Sequence, residues 1–197
     1  MLNIGVLISG GGTNLQAIID ETKSGGINGT VKLVISNKEN AYGLERARLS
    51  KIKAVYETDE DKIIELLKEN NIDLIVLAGY LKIITPKFVD EFRNKIINIH
   101  PSLIPSFCGK GYYGEKVHQG VIYYGAKVTG ATVHFVDEGA DTGAIIMQET
   151  VNVEQDDDAK SLAKRVLEVE HRILKESIRL FCENKLSIQG RRVFINE

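Results

Sequence analysis

Short apolar segments and amphipathic segments alternate through the first half of the chain. Each apolar segment has the length of a single strand, and residues such as Gly79 and Pro101 end them, which is typical of strands buried on both faces. The segments between them carry apolar residues at helical spacing. Strands are predicted at 3–9, 31–36, 53–56, 73–78 and 96–100, and helices near 15–20, 43–50, 59–70 and 86–92. This alternation predicts a Rossmann-like, mostly parallel twisted sheet with helices on both faces.

The second half of the chain has a different pattern. A helix and two half-buried strands are predicted at 117–124, 129–136 and 144–151. The loop at 137–143 is too short for a parallel crossover, so the two strands are expected to form an antiparallel hairpin. A long helix follows from about 159 to 184, and the acidic residues 156–158 before it complement the helix dipole. We therefore expect an α/β fold in a single domain, 1–197.

Composition narrows the class of protein further. The 197 residues are 43% hydrophobic and carry a net charge of −2, so there is no basic surface of the kind that nucleic-acid partners need. No apolar segment is long enough to span a bilayer, which predicts a cytoplasmic protein without a membrane partner. Cys108 and Cys182 lack C-x-x-C spacing, so neither a metal site nor a redox motif is predicted.

The strand at 96–100 carries two polar side chains two residues apart. Side chains alternate along a strand, so Asn98 and His100 point to the same face while Ile97 and Ile99 point to the other. Pro101 cannot donate to a ladder and ends the strand. Open α/β sheets bind ligands at the carboxyl ends of their strands. An amide donor beside an imidazole at this position predicts an active site.

A glycine turn follows the first strand and precedes the first helix. Backbone N–H groups of residues 10–14 and the helix N-terminus could hold an anion there. Thr13 or Asn14 could instead be a plain N-cap. Neither a Walker loop nor the third glycine of G-x-G-x-x-G is present, since Leu15 occupies that position. The turn alone therefore predicts an anion site without specifying its ligand.

The remaining three histidines favour structural roles. His134 alternates with apolar residues within a predicted strand, which indicates a hydrogen-bonded, partly buried side chain. His118 and His171 lie on predicted helices, and we expect His118 at the surface. His100 alone has a partner of the kind that catalysis needs.

The 137–143 loop supplies three carboxylates among glycines. Asp137, Glu138 or Asp141 could pair with His100, orient it and raise its pKa, although a solvated acidic hairpin also accounts for Asp137 and Glu138. An amide, an imidazole and a carboxylate together could stabilise a developing oxyanion. Cys108 could be a nucleophile, but no sequence feature indicates a lowered thiol pKa. Direct acyl transfer between two bound substrates is favoured.

Several blocks of sequence, in this order and spacing, resemble the phosphoribosylglycinamide formyltransferases, a folate-dependent formyltransferase family. The blocks are 6–16 (VLISGGGTNLQ), 34–37 (VISN), 77–80 (LAGY), 98–105 (NIHPSLIP) and 130–136 (GATVHFV). The resemblance runs from the first strand to the long helix. It implies transfer of the formyl group of 10-formyltetrahydrofolate to the amine of glycinamide ribonucleotide, in de novo purine biosynthesis, without a metal.

The resemblance also implies catalytic roles for three residues. Asn98 and His100 correspond to the pair that polarises the formyl group and stabilises the tetrahedral oxyanion. Asp141 corresponds to the carboxylate that keeps His100 protonated and helps to relay the proton. No covalent intermediate is implied, and the expected partners are the two small-molecule substrates, for a monomer or a homodimer.

Further residues are implied in binding. Gly12, Thr13 and Asn14 correspond to the loop that holds the 5′-phosphate of glycinamide ribonucleotide, and Glu170 to a residue that accepts from the ribose hydroxyls. The residues implied at the folate pocket are Leu81, Lys82, Ile83, Ile84, Asn98, Val136, Asp137, Glu138, Gly139, Ala140 and Asp141. Lys82 stands where the family often has Arg, which replaces a bidentate clamp with a point charge. Residues 110–114 replace a His-containing stretch, and Leu167 replaces a polar phosphate contact.

Other functions remain open from the sequence. Formyltetrahydrofolate hydrolase and methionyl-tRNA formyltransferase share the fold, but the hydrolase usually has an extra N-terminal domain and the tRNA enzyme an extra C-terminal one. We expect neither extension here. A non-enzymatic nucleotide-binding module that kept the glycine turn is the alternative of another class.

Overall fold

A computed structural model describes residues 1–196, and its centre is one nine-stranded sheet. The strands are β1 (Leu2–Ile8), β2 (Gly29–Ser36), β3 (Lys53–Tyr56), β4 (Leu74–Leu77), β5 (Ile96–His100), β6 (Val128–Phe135), β7 (Ile145–Asn152), β8 (Leu186–Gln189) and β9 (Arg192–Ile195). The helices are α1 (Thr13–Ser24), α2 (Tyr42–Leu49), α3 (Glu60–Glu69), α4 (Pro86–Glu91), α5 (Glu115–Tyr124) and α6 (Ala159–Cys182).

The sheet has a parallel half and an antiparallel half. Its strand order is β3-β2-β1-β4-β5-β6-β7-β9-β8. The first five strands in that order are parallel, whereas β6 runs antiparallel to both β5 and β7. The predicted α/β class, the mostly parallel arrangement and the antiparallel hairpin are therefore confirmed. The order reverses around β1, so a crevice opens at the carboxyl ends of β1 and β4.

The sequence prediction missed one element, the hairpin of β8 and β9 at the edge of the sheet. These strands pair antiparallel around Gly190, which has a φ of 61°, and β9 joins β7 through Arg192. Alternation of apolar and polar residues in Leu186–Gln189, followed by Gly190 and the apolar run 193–195, is the signal that indicates such a hairpin.

Strand alternation divides the apolar core between the two faces of the sheet. Ile4, Val6 and Ile8 of β1 pack with α1 and α6 on one face, and Leu7 packs with α3 and α4 on the other. On β5, Ile97 and Ile99 belong to the α6 face. Asn98 and His100 therefore project from the opposite face, as the period of two predicts.

The acidic residues before α6 start this helix. The Asp158 carboxylate accepts from the amides of Lys160 (2.9 Å) and Ser161 (2.7 Å), while the Ser161 hydroxyl accepts from the Asp158 amide (3.0 Å), forming a capping box. Asp157 forms an ion pair with Arg165. This start places Glu170 on the buried face of α6, beside α1. Within residues 1–196, no helix is long and apolar enough to cross a membrane.

Candidate active site

The pairing of β5 with β6 brings three polar side chains to one face. Asn98 lies opposite His134 in the antiparallel register, and His100 lies opposite Thr132. Directly opposed residues point to the same side of a sheet, so His134 joins Asn98 and His100. His100 and His134 are 4% and 2% exposed, which puts both rings within the protein.

Asp141 completes this cluster from the loop between β6 and β7. Its Oδ2 lies 3.5 Å from His100 Nδ1 and accepts from the Gly109 amide at 2.8 Å. Its Oδ1 lies 3.4 Å from Asn98 Nδ2 and 3.6 Å from His134 Nε2. Asp141 has a φ of 59°, a left-handed conformation that costs free energy in a non-glycine residue and recurs at functional sites. Of the three loop carboxylates, the structure brings Asp141 to His100.

His134 orients the amide of Asn98. The hydrogen-bond network assigns a proton to His134 Nδ1, which donates to the carbonyl of Phe135 at 2.7 Å. Nε2 is then an acceptor, and Asn98 Nδ2 donates to it at 3.1 Å. The second amide hydrogen faces Asp141 across a long 3.4 Å contact, which leaves it available to a ligand. The buried structural role predicted for His134 thus includes positioning the candidate donor.

The network leaves one nitrogen of His100 for chemistry. Its Nε2 donates to the carbonyl of Phe107 at 3.0 Å, so the lone pair of the neutral ring is on Nδ1, beside Asp141. Burial lowers the pKa of His100 below its usual value and outweighs the charge of Asp141, which raises it. The charge of Asp141 thus raises this pKa, as expected, but burial has the larger effect and the net pKa is lowered. His100 is neutral at pH 7 and can accept a proton at Nδ1.

Asp141 stays ionised despite its burial. Burial raises the pKa of this carboxyl, but the charge of His100 and the hydrogen bond from the Gly109 amide lower it, and the net pKa lies below the usual value. A fixed negative charge beside His100 stabilises an imidazolium once that ring accepts a proton. Burial raises the pKa of the Cys108 thiol, so the thiolate needed for nucleophilic attack is disfavoured.

A second polar cluster joins α1 to α6. Asn14 Nδ2 donates to Glu170 Oε2 at 2.8 Å, and both residues are 8% exposed. Asn14 Oδ1 is buried and has no hydrogen-bond partner in the part of the chain that the structure describes. A buried acceptor without a partner costs free energy unless a bound molecule donates to it. The pair can therefore accept from hydroxyl groups of a ligand.

Glu170→Gln is expected to raise the melting temperature at pH 7.5 by a few degrees. In a chain of this size, each kcal/mol added to the free energy of unfolding raises the melting temperature by about 2–4 °C. Burial raises the pKa of Glu170 above its usual value of 4.5. The protonated carboxyl therefore stabilises the folded protein fully below pH 4.5, and this stabilisation is lost as the pH rises through the raised pKa. Gln imitates the protonated carboxyl at every pH. Thermal unfolding between pH 4 and 8 measures the difference, which should vanish toward pH 4.

Glu168→Gln is the matched control because Glu168 is exposed on the same helix. It should leave the melting temperature unchanged. An unchanged or lower melting temperature of Glu170→Gln at pH 7.5 would show that the buried carboxylate is not destabilising.

The glycine turn lies at the carboxyl end of β1, close to this pair. The N-cap of α1 is Gly12, with a φ of 72°, and no side chain caps the helix. The alternative in which Thr13 or Asn14 is a plain N-cap is therefore wrong, because Asn14 binds Glu170 instead. The first amides of α1 have no side-chain acceptor and remain available to an anion.

A cleft of about 460 Å³ connects the two clusters. Asn14 and Glu170 line one part of this cleft, and Asn98, His100 and Asp141 line another. Most residues predicted for the folate pocket also line it, namely Leu81, Lys82, Ile83, Ile84, Val136, Asp137, Gly139 and Ala140. Leu81 and Ile83 are 55% and 70% exposed, which leaves apolar surface free for a ligand. No ligand-contact role is tested by this placement, so each stays a prediction.

Three predicted residues lie outside the cleft lining. Gly12 and Thr13 precede Asn14 in the turn. Glu138 forms an ion pair with Arg93 instead of lining the cleft. Lys82 lines the cleft, and its Nζ donates to the Thr58 carbonyl at 2.8 Å.

His118 lines the cleft, whereas the sequence prediction placed it at the surface. It is 4% exposed rather than on the surface, because Val117, His118 and Val121 form the buried face of α5. Burial lowers its pKa, and the charge of His100 lowers it further. In the sequence, this burial is indicated by the position of His118 next to Val117 and three residues before Val121, which places all three on one face of a helix. Residues 109–114, which replace the His-containing stretch, also line the cleft. Within residues 1–196, no cluster of three or more His, Cys, Asp or Glu side chains could hold a metal ion.

Comparison with known proteins identifies relatives along most of the chain. The formyl transferase family matches residues 2–178. The chain is 41% identical over 192 residues to the chloroplastic phosphoribosylglycinamide formyltransferase of Vigna unguiculata, covering 93% of this chain and 62% of that protein. It is 43% identical over 206 residues to the phosphoribosylglycinamide formyltransferase of Haemophilus influenzae, covering 100% and 94%. The chain thus spans less than two thirds of the plant relative.

A solved structure agrees with these relatives. Glycinamide ribonucleotide transformylase 1 of Symbiobacterium toebii superposes with a TM-score of 0.94 at 44% identity, covering 100% of this chain and 95% of that one. The family match covers well over half of the chain, and the resemblance seen in the sequence blocks is confirmed. The chain belongs to the formyl transferase family.

Proposed function

We propose that this protein transfers the formyl group of 10-formyltetrahydrofolate to the amine of glycinamide ribonucleotide, a step of de novo purine biosynthesis. One observation carries the proposal. Asp141 lies 3.4 Å from Asn98 Nδ2 and 3.5 Å from His100 Nδ1, at the end of β5 and on the wall of a cleft. An amide donor, a neutral imidazole and an ionised carboxylate are the groups that acyl transfer to an amine needs.

The proposed reaction begins with attack of the substrate amine on the formyl carbon. The carbonyl π electrons move to oxygen, and the amide hydrogen of Asn98 that now faces Asp141 would donate to the resulting oxyanion. His100 Nδ1 takes one proton from the attacking nitrogen, and Asp141 stabilises the imidazolium. The oxyanion then reforms the carbonyl as the bond to N10 breaks, and the imidazolium returns the proton to N10. Protons balance, and no covalent enzyme intermediate forms.

The glycinamide ribonucleotide would lie between the two clusters. Its phosphate would accept from the backbone amides of Gly12, Thr13 and Asn14, because the N-terminus of α1 favours an anion. Its ribose hydroxyls would donate to Asn14 Oδ1 and to Glu170. The buried Oδ1 without a partner supports this placement, since a ligand hydroxyl would satisfy it.

The 10-formyltetrahydrofolate would occupy the remaining part of the cleft as co-substrate. Residues 81–84 form one wall, and Val136, Asp137 and 139–141 form the other. Leu81 and Ile83 offer exposed apolar surface to the pterin and benzoyl rings. We further propose a single domain, 1–197, that works in the cytoplasm as a monomer or homodimer, with these two small molecules as its partners.

One assay tests the proposed function. The purified protein is incubated with 10-formyltetrahydrofolate, with and without glycinamide ribonucleotide, and release of tetrahydrofolate is followed. Release is expected only with the amine, in equal amount to the formylated product. Release without the amine would indicate a hydrolase, and no release in either mixture would favour the nucleotide-binding alternative. Either result would contradict the proposal.

A further inference from the structure

Arg46 of α2 reaches across to the glycine turn. Its Nε donates to the Gly11 carbonyl at 2.8 Å, and its Nη1 donates to Gln16 Oε1 at 3.3 Å. The guanidinium also lies over the ring of Tyr42, 5.0 Å from its centroid. One cation thus contacts both the turn and the first part of α1.

The charge of Arg46 is not neutralised by the protein. Both of its hydrogen-bond acceptors are uncharged, and no carboxylate in residues 1–196 lies within 4.0 Å of it. Arg48, two residues further along α2, pairs with Glu45 at 3.6 Å. A guanidinium has five N–H donors, and the contacts of Arg46 use two of them. It therefore retains both charge and donors for an anion.

Close packing fixes the position of Arg46 relative to the turn. The Gly43 amide donates to the Gly10 carbonyl at 3.1 Å, and a Cβ on Gly12 would lie 2.7 Å from Gly43 Cα. The N-terminal end of α2 therefore packs directly on the turn. Arg46 lies three residues after Gly43, on the same face of α2, and its side chain reaches back to Gly11.

We propose that Arg46 holds the glycine turn in its binding conformation and supplies the positive charge for the phosphate of the nucleotide substrate. The inference rests on the function proposed above, and it names a residue outside the amides of Gly12, Thr13 and Asn14. Through Gly11, Arg46 fixes the backbone that presents those amides. Its uncompensated charge favours a dianion at the same turn.

Arg46→Gln tests the proposal, with Arg48→Gln as the matched control on the same helix. Arg46→Gln should raise KM for glycinamide ribonucleotide about tenfold to hundredfold, the range expected for a hydrogen bond to a charged group. KM for 10-formyltetrahydrofolate should stay within about twofold, and Arg46→Lys should recover part of the loss because it keeps the charge. Arg48→Gln should match the wild type.

A second readout separates this proposal from the proposed reaction. Inorganic phosphate is titrated into the ¹⁵N-labelled protein, and the amide signals of Gly11, Gly12 and Thr13 are followed. Phosphate should shift them in the wild type and bind at least tenfold more weakly to Arg46→Gln. This result without any formyl transfer would support Arg46 while contradicting the reaction. Equal phosphate binding by wild type, Arg46→Gln and Arg46→Lys would overturn the proposal.

Discussion

Asp141→Asn is expected to lower kcat for formyl transfer by about a hundredfold to ten-thousandfold, the range in which a proton-transfer group contributes. The side chain keeps its shape, and Gly109 can still donate to its oxygen, but the charge that stabilises the imidazolium of His100 is lost. Steady-state kinetics with both substrates measures the change. Asp90→Asn is the control, because Asp90 lies on the surface and pairs with Arg93.

The pH profile of the same variant gives an independent check. His100 must be neutral to accept a proton, and burial lowers its pKa, so the acidic limb of wild-type kcat/KM should lie below pH 6.5. The charge of Asp141 raises the pKa of His100, so its removal should move the limb to still lower pH. A limb that moves upward in Asp141→Asn would contradict the assignment.

Asn98→Ala is expected to lower kcat by about a hundredfold to a thousandfold, the cost of removing one oxyanion donor. KM for both substrates should change little, because the donor acts on charge that develops in the transition state. Asn152→Ala, at the exposed end of β7, should behave as the wild type. A variant that loses affinity for substrate while keeping kcat would place Asn98 in binding rather than in catalysis.

Periodicity was enough to predict most of the fold. The buried strands and amphipathic helices of the parallel half follow directly from apolar spacing, and the short 137–143 loop requires the antiparallel pair β6 and β7. The hairpin of β8 and β9 was missed, although the alternating residues of β8 and Gly190 after them indicate it. Its pairing with β7 through Arg192 depends on the sheet edge that the rest of the fold leaves open.

The site was less predictable because its contacts join distant segments. Strand geometry gives the shared face of Asn98 and His100, but not the 3.5 Å approach of Asp141, which depends on a left-handed residue in a loop. That carboxylate was selected by family resemblance. The pKa of His100 is lowered because the ring is buried, and the extent of burial of a side chain cannot be read from the sequence. His118 was placed at the surface, although it shares the buried face of α5 with Val117 and Val121.

The most direct test of the account follows the formyl group itself through a single turnover. Excess protein is mixed with ¹⁴C-formyl-labelled 10-formyltetrahydrofolate and glycinamide ribonucleotide, and the label is traced in the wild type and in His100→Ala. We predict that the label moves to the nucleotide as tetrahydrofolate forms, and that His100→Ala slows this step by at least about a hundredfold. Label released as formate, or transfer by His100→Ala at the wild-type rate, would contradict the account.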